Sequence, residues 1–406
     1  MTLGIYIQVP FCQTKCTYCN FHTGVVSRER YAPYVEAVCR EITTEAPRLN
    51  ASHESGCGLP DSASKLAVPE IDTVYFGGGT PSLLDPAALE KILAALHEPF
   101  RFAISTKPAE VTLEADPETI APEKAAAWRA AGFNRISLGS QSFNDFELKS
   151  AGRMHRRADI YNAAEFLRSA GFENISFDLI AGLPHQTRET WEHSVSELIA
   201  LRPEHASIYM LEIDEGSRLG RESLAGGNRY SASAIPGDDA MADFYESACR
   251  RLAEAGYEHY EISNWALPGF TSRHNLKYWR REPYLGFGAG GHSFDGRARW
   301  ANAHDSARYV ALIEQGSSPR EQIEAVTPEQ SLDEEFFLGL RQLKGVDLDR
   351  IESKYGGNGM SRRFRDLRER IEKLRADGLV ELEGSRLRLA PDRLAVSNEV
   401  FVELMA

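Results

Sequence analysis

Three cysteines near the N-terminus are the residues of this sequence with the clearest chemistry. Cys12, Cys16 and Cys19 are spaced C-x3-C-x2-C and follow the short apolar run IYIQVP. Clustered thiolates select zinc, copper(I) or iron–sulfur clusters. A structural zinc site normally closes with four protein ligands, and no second cysteine pair follows nearby. The spacing therefore favours a [4Fe–4S] cluster with one iron left open over a zinc knuckle or a redox thiol pair.

Composition limits the remaining possibilities. The chain has 406 residues, and its 46 basic and 59 acidic residues give a net charge of −13, which argues against a generally nucleic-acid-coating surface. We expect a cytosolic protein, because the N-terminus resembles no signal peptide and no run is long and apolar enough for a membrane span. Cytosolic thiols stay reduced, so Cys39 and Cys249 are expected to be apolar fillers.

Short strand-like segments alternate with helical patterns over the first half of the chain. RAAGFNRISLG (129–139) and RSAGFENISFD (168–178) repeat a helix end, a glycine and a strand about 40 residues apart. Such βα units predict an α/β fold, an incomplete (β/α)6 TIM-like barrel with its chemistry at the C-terminal strand ends. The six predicted strands are GIYIQVP (4–10), DTVYFGGG (72–79), EVTLEADP (110–117), RISLGSQS (135–142), NISFDLIAG (174–182) and ASIYMLEI (206–213).

Three domains are predicted from changes in composition: a partial barrel over 1–215, a barrel-capping segment over 216–326 and a C-terminal domain over 327–406. The last combines charged helices with the strand pair LVELEG and RLRLAP, which resembles a winged helix. Residues 50–69 are small and polar with two prolines, and we expect an exposed insertion there. Cys57 lies in it and is a poor ligand candidate.

Polar residues and glycines stand at the predicted strand ends, where an apolar core would otherwise continue. They are Gly77–Gly79 in GGGTP, Glu114, Gln141 and Asp178, with Arg153 in GRMH farther along. Glycines let backbone N–H groups approach a ligand closely, although a glycine run is also a common turn. Taken singly, the polar residues could equally be helix caps or buried hydrogen-bonding groups.

The pattern C-x3-C-x-aromatic-C, with Tyr18 as the aromatic, resembles the radical S-adenosylmethionine (SAM) superfamily. That resemblance implies a [4Fe–4S] cluster on the three cysteines, SAM on the open iron and an electron donor for the cluster. The order of the strand-end motifs resembles the subfamily of oxygen-independent coproporphyrinogen III oxidase and HemW-type heme chaperones. It implies that the SAM-binding residues are Tyr6 beside the cluster, Tyr18, Gly78, Gly79, Thr80, Glu114, Gln141, Arg153 and Asp178.

Two features favour the chaperone branch within that subfamily. The oxidase pattern continues to a fourth cysteine, where this chain has Phe21. The chaperone branch carries H-N-x-x-Y-W, and this chain has HNLKYW at 274–279. The resemblance thus implies a protein that binds heme and passes it to an acceptor protein. The alternative is an oxidase that decarboxylates coproporphyrinogen III, or another radical reaction on a tetrapyrrole.

The HNLKYW segment is also the predicted heme site. An imidazole for iron, an aromatic surface for the macrocycle and cations for its propionates are what heme binding requires. His274, Tyr278, Arg280 and Arg281 are the candidate contacts, with His292 in GFGAGGHSF as a second histidine. His274 could instead be a satisfied interior histidine.

A third hypothesis comes from the winged-helix resemblance, namely a DNA-binding regulator that senses iron or heme. The basic segment RRFRDLRERIEKLR (362–375) alternates arginines with acidic residues. That alternation is typical of a solvated helix face rather than of a phosphate-binding stripe. We therefore predict no nucleic-acid partner.

Overall fold

The computed structural model describes residues 2–52, 70–100, 108–356 and 361–405. Cys57 lies outside these residues, as does most of the predicted insertion 50–69. The first three residues of that insertion end the first helix.

Six parallel strands form the first half of the fold and lie in chain order in the sheet. Buried apolar residues occur on both faces of these strands, as in the consecutive Leu179 and Ile180 of the fifth strand, so such strands need helices or neighbouring side chains on both sides. The predicted alternation of strands and helices is confirmed. The elements are β1 (Thr2–Val9), α1 (Tyr31–Ser52), β2 (Glu70–Gly78), α2 (Pro86–Phe100), β3 (Glu110–Ala115), α3 (Pro122–Ala130), β4 (Arg135–Gln141), α4 (Asp145–Ser150), α5 (Arg157–Ser169), β5 (Ile175–Ala181), α6 (Arg188–Leu201) and β6 (His205–Met210).

The sequence repeat corresponds to one structural unit used twice. Gly132 and Gly171 end the helices α3 and α5 with φ values of 105° and 85°, a conformation that suits glycine because it has no Cβ. The phenylalanine after each glycine is buried, and a strand follows at once. This unit turns the chain from each outer helix back into the sheet.

The second half continues the same sheet rather than forming a separate layer. Within the described residues the strand order is β12-β11-β10-β9-β1-β2-β3-β4-β5-β6-β8-β7, so the sheet stays open at both edges. Only β9 adds a further parallel pair, with β1; the others pair antiparallel. These elements are α7 (Arg218–Leu224), α8 (Asp238–Glu254), β7 (Glu258–Glu261), β8 (Asn264–Ala266), α9 (Arg273–Trp279), β9 (Tyr284–Phe287), β10 (His292–Phe294), β11 (Ala298–Asn302), α10 (Ser306–Glu314) and β12 (Arg320–Ala325).

The C-terminal part has the element order of a winged helix. A helix, a strand, two helices and a two-stranded hairpin follow one another, and the three strands form a small antiparallel sheet. The hairpin was predicted from the sequence, whereas the two-residue third strand of this small sheet was not. The elements are α11 (Pro328–Gly339), β13 (Val346–Asp347), α12 (Leu348–Tyr355), α13 (Ser361–Ala376), β14 (Val380–Glu383), β15 (Arg386–Leu389) and α14 (Ser397–Met405). The domain boundaries at 215 and 326 stay predictions.

Candidate functional site

The cysteine loop, residues 12–24, leaves the C-terminal end of β1 and closes on itself. The amide of Cys12 donates to the carbonyl of Gly24 (3.0 Å), and the amide of Gly24 donates to Pro10 (2.9 Å). Halfway along, Thr17 binds the carbonyl of Ala151 through its amide (3.0 Å) and its hydroxyl (3.2 Å). The loop is therefore held at its base and against the segment after α4, which fixes where its three thiols lie.

The three thiols line one cavity of about 370 Å³ at the C-terminal strand ends. Parallel strands present these ends at one edge of the sheet, so residues distant in sequence meet there. The structure thus brings together most residues that the sequence predicted for the cofactor. Those lining the cavity are Cys12, Cys16, Tyr18, Cys19, Gly78, Gly79, Thr80, Glu114, Gln141, Arg153 and Asp178.

The GGGTP turn contacts protein rather than offering its N–H groups to a ligand. Gly78 donates to Glu114 Oε2 (3.2 Å), and Thr80 donates to the carbonyl of Phe11 (2.7 Å). The amide of Gly79 donates to the end of β1 (2.8 Å). The expectation that these N–H groups meet a ligand is wrong in this conformation. The turn instead joins β2 to the cysteine loop.

Close packing explains why this turn needs glycine. A Cβ on Gly79 would lie 2.5 Å from the carbonyl oxygen of Phe11, and backbone cannot move aside cheaply. Gly78 has φ +108°, a conformation that side chains rarely adopt. The glycine run is therefore a requirement of the junction between two strands and the loop.

Two half-buried carboxyl groups face the cavity. Glu114 accepts from the Tyr75 hydroxyl (2.8 Å), and burial raises its pKa to about 7, with the nearby Asp178 adding to the effect. Asp178 accepts from the Ser137 hydroxyl (3.1 Å), and burial raises its pKa as well. Carboxyl groups in such a low-dielectric site favour a cationic partner. An ammonium or sulfonium group would suit this part of the cavity.

Arg153 connects the cysteine loop to the strand ends. Its Nη1 donates to Cys16 Sγ (3.5 Å), and its Nη2 donates to the carbonyl of Gly139 (2.8 Å) and forms an ion pair with Asp116. Its Nε is buried without a hydrogen-bond partner in the described parts of the chain. Gln141, at the end of β4, has φ 63° and lines the cavity beside it. Arg153 thus stabilises negative charge on a cysteine sulfur and retains one donor for a ligand.

The cavity extends down the whole of β4. Arg135, Ser137, Gly139 and Gln141 all line it, which corresponds to about 20 Å along the strand at the usual rise per residue. Arg135 is only 1% exposed, and its Nε and Nη1 lack hydrogen-bond partners among the described residues. Asn275 lines the same cavity. A buried guanidinium with free donors would suit an anionic group of a bound molecule.

His274 lies in the interior and does not fit the predicted heme contact. It is 1% exposed, its Nδ1 is hydrogen-bonded to Thr73 Oγ1 (2.9 Å) and its Nε2 to the Tyr278 hydroxyl (2.8 Å). Burial, followed by nearby cations, lowers its pKa to about 3. Its ring stacks on Tyr75 (5.2 Å between centroids), which stacks on Tyr6 (5.9 Å). Tyr6, expected beside the cluster, belongs to this aromatic layer and does not line the cavity.

Ion pairs engage two of the cations in the segment 273–281. Arg281, whose side chain is 7% exposed, pairs with Glu334 of α11 (2.7 Å). Lys277 is buried and pairs with Asp72 (2.8 Å). Arg280 is exposed and makes one long hydrogen bond to a glutamine (3.4 Å). Arg281 is therefore structural, which contradicts its predicted role as a propionate partner, whereas Arg280 remains available.

Comparison with known proteins decides the family. The chain is 33% identical over 396 residues to a Bacillus subtilis protein named Heme chaperone HemW, covering 98% of this chain and 97% of the relative. A Synechocystis protein of the same name is 36% identical over 361 residues, 87% of this chain and 81% of the relative. The chain belongs to the HemW family of the radical SAM superfamily. Within this HemW-family chain, the Radical SAM superfamily model matches residues 60–198 and the HemN C-terminal domain model matches residues 326–392.

The fold of this HemW-family chain is also that of a solved structure. Coproporphyrinogen III oxidase (HemN) from Escherichia coli superposes with a TM-score of 0.81 at 22% identity, over 100% of this chain and 90% of that one. This likeness confirms the α/β barrel-type fold with its C-terminal domain. No helix in the described residues is long and apolar enough to cross a membrane.

Membership of the radical SAM superfamily implies a [4Fe–4S] cluster and SAM, and the donor set fits both. Three thiols line one cavity, and Arg153 contacts one of them. Burial raises the pKa of the Cys12 thiol, so this group is protonated until a metal ion displaces the proton. The carboxyl groups of Glu114 and Asp178 supply negative charge toward a cationic cofactor.

Sequence reasoning missed several residues of the site. Asp116, the ion-pair partner of Arg153, follows Glu114 by two positions and could have been found from the alternation of a strand. Arg135 begins the strand that ends in Gln141, and the same alternation places both on one face. Asn275 gave no separate signal, because its role depends on how α9 packs against β2.

Proposed function

We propose that this chain is a heme chaperone that binds heme and passes it to an acceptor protein while carrying a [4Fe–4S] cluster and SAM. The observation that carries the proposal is similarity along almost the whole chain to relatives named Heme chaperone HemW. The similar region includes the barrel, the segment that follows it and the C-terminal part. A reductant for the cluster and a heme acceptor are the implied protein partners.

Cys12, Cys16 and Cys19 would hold the cluster, and its open iron would hold SAM. When reduced, such a cluster supplies an electron that can cleave the SAM sulfonium. In this chain Arg153 would hold the cysteine loop in place, and Glu114 and Asp178 would balance the positive charge of SAM. Arg135 and Asn275 would bind polar groups at the other end of the cavity.

Phe21 supports the chaperone over the oxidase. It occupies the position at which the oxidase pattern has a fourth cysteine, and its side chain is 65% exposed and borders the cavity. An exposed phenyl ring cannot bind metal, but it offers an apolar surface to a flat macrocycle. The absence of the fourth cysteine therefore favours the chaperone, and the exposed ring agrees with binding of a flat macrocycle.

Parallel assays on cluster-loaded protein test the proposal. Purified chain with a reconstituted cluster should bind about one heme per chain, and it should form no protoporphyrinogen from coproporphyrinogen III with SAM and a reductant. Iron and sulfide analysis before each assay confirms that the cluster is present. Multiple-turnover formation of protoporphyrinogen would replace the chaperone with the oxidase.

A further inference from the structure

Three histidines that are far apart in sequence meet beside the cysteine loop. His22 belongs to the loop, His292 begins β10 and His304 follows β11. The ring centroids of His22 and His304 lie 4.4 Å apart, and those of His292 and His304 lie 6.2 Å apart. We call these residues the histidine trio. His22 and His292 are exposed, so their rings are accessible to a ligand.

The glycine-rich turn between β9 and β10 makes room for the trio. Gly290 has φ 73°, and a Cβ on it would lie 3.1 Å from His304 Nδ1. The amide of Gly290 donates to the carbonyl of Ala303 (3.0 Å), which fixes the turn beside the end of β11. His304 Nδ1 is buried without a hydrogen-bond partner among the residues that the structure describes. The turn thus orders a ring whose polar atom has no protein partner.

Two exposed apolar side chains and one cation lie close to His22 along the chain. Phe21 precedes His22 in the cysteine loop and is 65% exposed, and Val25, which directly follows the loop, is 61% exposed. Lys15 reaches the same part of the loop, since its Nζ donates to the carbonyl of Phe21 (3.3 Å). An apolar surface, imidazoles and an ammonium group are the three components that a heme with its propionates requires. The segment 273–281 lacks this combination because its histidine and two of its cations are engaged elsewhere.

The imidazoles are also in the right protonation state for iron. Burial, followed by the charge of His304, lowers the pKa of both His22 and His292. A lowered pKa keeps a histidine neutral at neutral pH, and only the neutral ring has a lone pair for a metal. The rings therefore need not lose a proton to bind iron.

A single bare metal ion is a poorer fit than heme. Among the described residues, the three histidines do not form a group that could hold one metal ion, as the ligands of one zinc ion would. Heme iron already has four porphyrin nitrogens and takes only one or two ligands from protein. A heme with its macrocycle on Phe21 and Val25 thus makes better use of this surface.

We propose that one exposed imidazole of the histidine trio, that of His22 or His292, binds the heme iron, with the macrocycle on Phe21 and Val25 and a propionate directed toward Lys15. The inference rests on the proposed function, and it assigns the cargo to a surface beside the cluster rather than to HNLKYW. Phe21 and Lys15 also line the cavity of the cysteines. Bound heme would therefore lie at the mouth of that cavity.

Heme titration of cluster-loaded variants tests the site. The change is a triple variant, His22→Ala with His292→Ala and His304→Ala, and the matched control is His193→Ala, an exposed histidine on α6. We expect the triple variant to lose heme affinity by roughly tenfold or more and to lose the Soret band of imidazole-bound heme, because removing metal-supporting groups has effects of that size or larger. Added free imidazole should restore the band, and the control should titrate like wild type.

The outcomes separate this inference from the proposed function. A triple variant with unchanged affinity and spectrum, in a wild type that binds heme, would overturn the site and leave the chaperone function standing. A wild type without saturable heme binding would overturn both. Circular dichroism and iron content show whether each variant is folded and loaded. Should the triple variant not fold, the double change His22→Gln with His292→Gln alters only exposed rings, and an unchanged spectrum there would equally overturn the site.

Discussion

Glu114 ends β3 at the cavity, and burial raises the pKa of its carboxyl from the ordinary 4.5 to about 7. The folded protein therefore holds this proton more tightly than the unfolded chain does. Ionising Glu114 destabilises the fold, so its contribution to stability is lost as pH rises from about 4.5 to 7 and changes little above that. Glu114→Gln removes the titration and keeps the shape of the side chain.

The size of the effect follows from the two pKa values. Their separation corresponds to about 3 kcal/mol of stability in total. Between about pH 6 and pH 8.5, a range that an iron–sulfur protein tolerates, the free energy of unfolding falls by about 1 kcal/mol of that total. The variant also loses the hydrogen bond from the Gly78 amide, since an amide nitrogen cannot accept it, at a cost of about 1 kcal/mol. That loss is independent of pH. The test therefore compares how the free energy of unfolding changes with pH in the two proteins, not its absolute value.

The assay is urea unfolding of cluster-loaded wild type and Glu114→Gln at several pH values in that range. Wild type should lose about 1 kcal/mol more than the variant as pH rises. Glu123→Gln, an exposed carboxyl on α3, is the control and should parallel wild type. Parallel slopes for wild type and Glu114→Gln would refute the burial argument. Adding SAM should lower the pKa of Glu114, so SAM affinity should rise with pH in wild type and not in the variant.

Four further changes test other parts of the site. Cys16→Ala should abolish the cluster, as measured by iron and sulfide analysis. Cys249, half-buried on α8, is the control, and Cys249→Ala should retain about four irons per chain. The reverse pattern would show that the cysteine loop does not bind the cluster. Asp178→Asn should weaken SAM binding without changing cluster absorbance, and equal affinity would make Asp178 only structural. His274→Ala should lower the free energy of unfolding in urea by about 2–4 kcal/mol, because two buried hydrogen bonds and a packed ring are lost. Heme affinity should stay unchanged. A selective loss of heme binding would restore His274 as a heme ligand. Arg281→Met should cost about 1.5–3 kcal/mol because the hydrogen bond to the Glu334 carboxylate is lost, although Glu334 keeps its ion pair with Arg299. An unchanged unfolding midpoint would mean that the ion pairs of Arg281 contribute nothing.

The local parts of this fold could be predicted from the sequence. Strands covered on both faces consist of continuous apolar runs, and the repeated helix–glycine–strand unit is visible because Gly132 and Gly171 must adopt positive φ. The cysteine spacing and the polar strand ends were also visible, because parallel strands bring their C-terminal ends together whatever else the chain does. These features depend on periodicity and on single residue types.

Long-range partners could not be predicted in the same way. His274 is buried because Thr73, 201 residues away, lies opposite its Nδ1, and Arg281 is engaged because α11 packs against it. No sequence pattern near His274 or Arg281 indicates these partners. The histidine trio could not be predicted for the same reason. His22 and His304 are far apart in the sequence and meet only in the folded chain, beside the cysteine loop.

The number of hemes bound per chain at saturation tests the central claim most directly. Cluster-loaded wild type, checked for iron and sulfide, is titrated with heme under anaerobic conditions and followed at the Soret band. We expect a saturable transition at about one heme per chain, with the spectrum of imidazole-bound iron. A linear increase without saturation, together with turnover of coproporphyrinogen III by the same preparation, would contradict it.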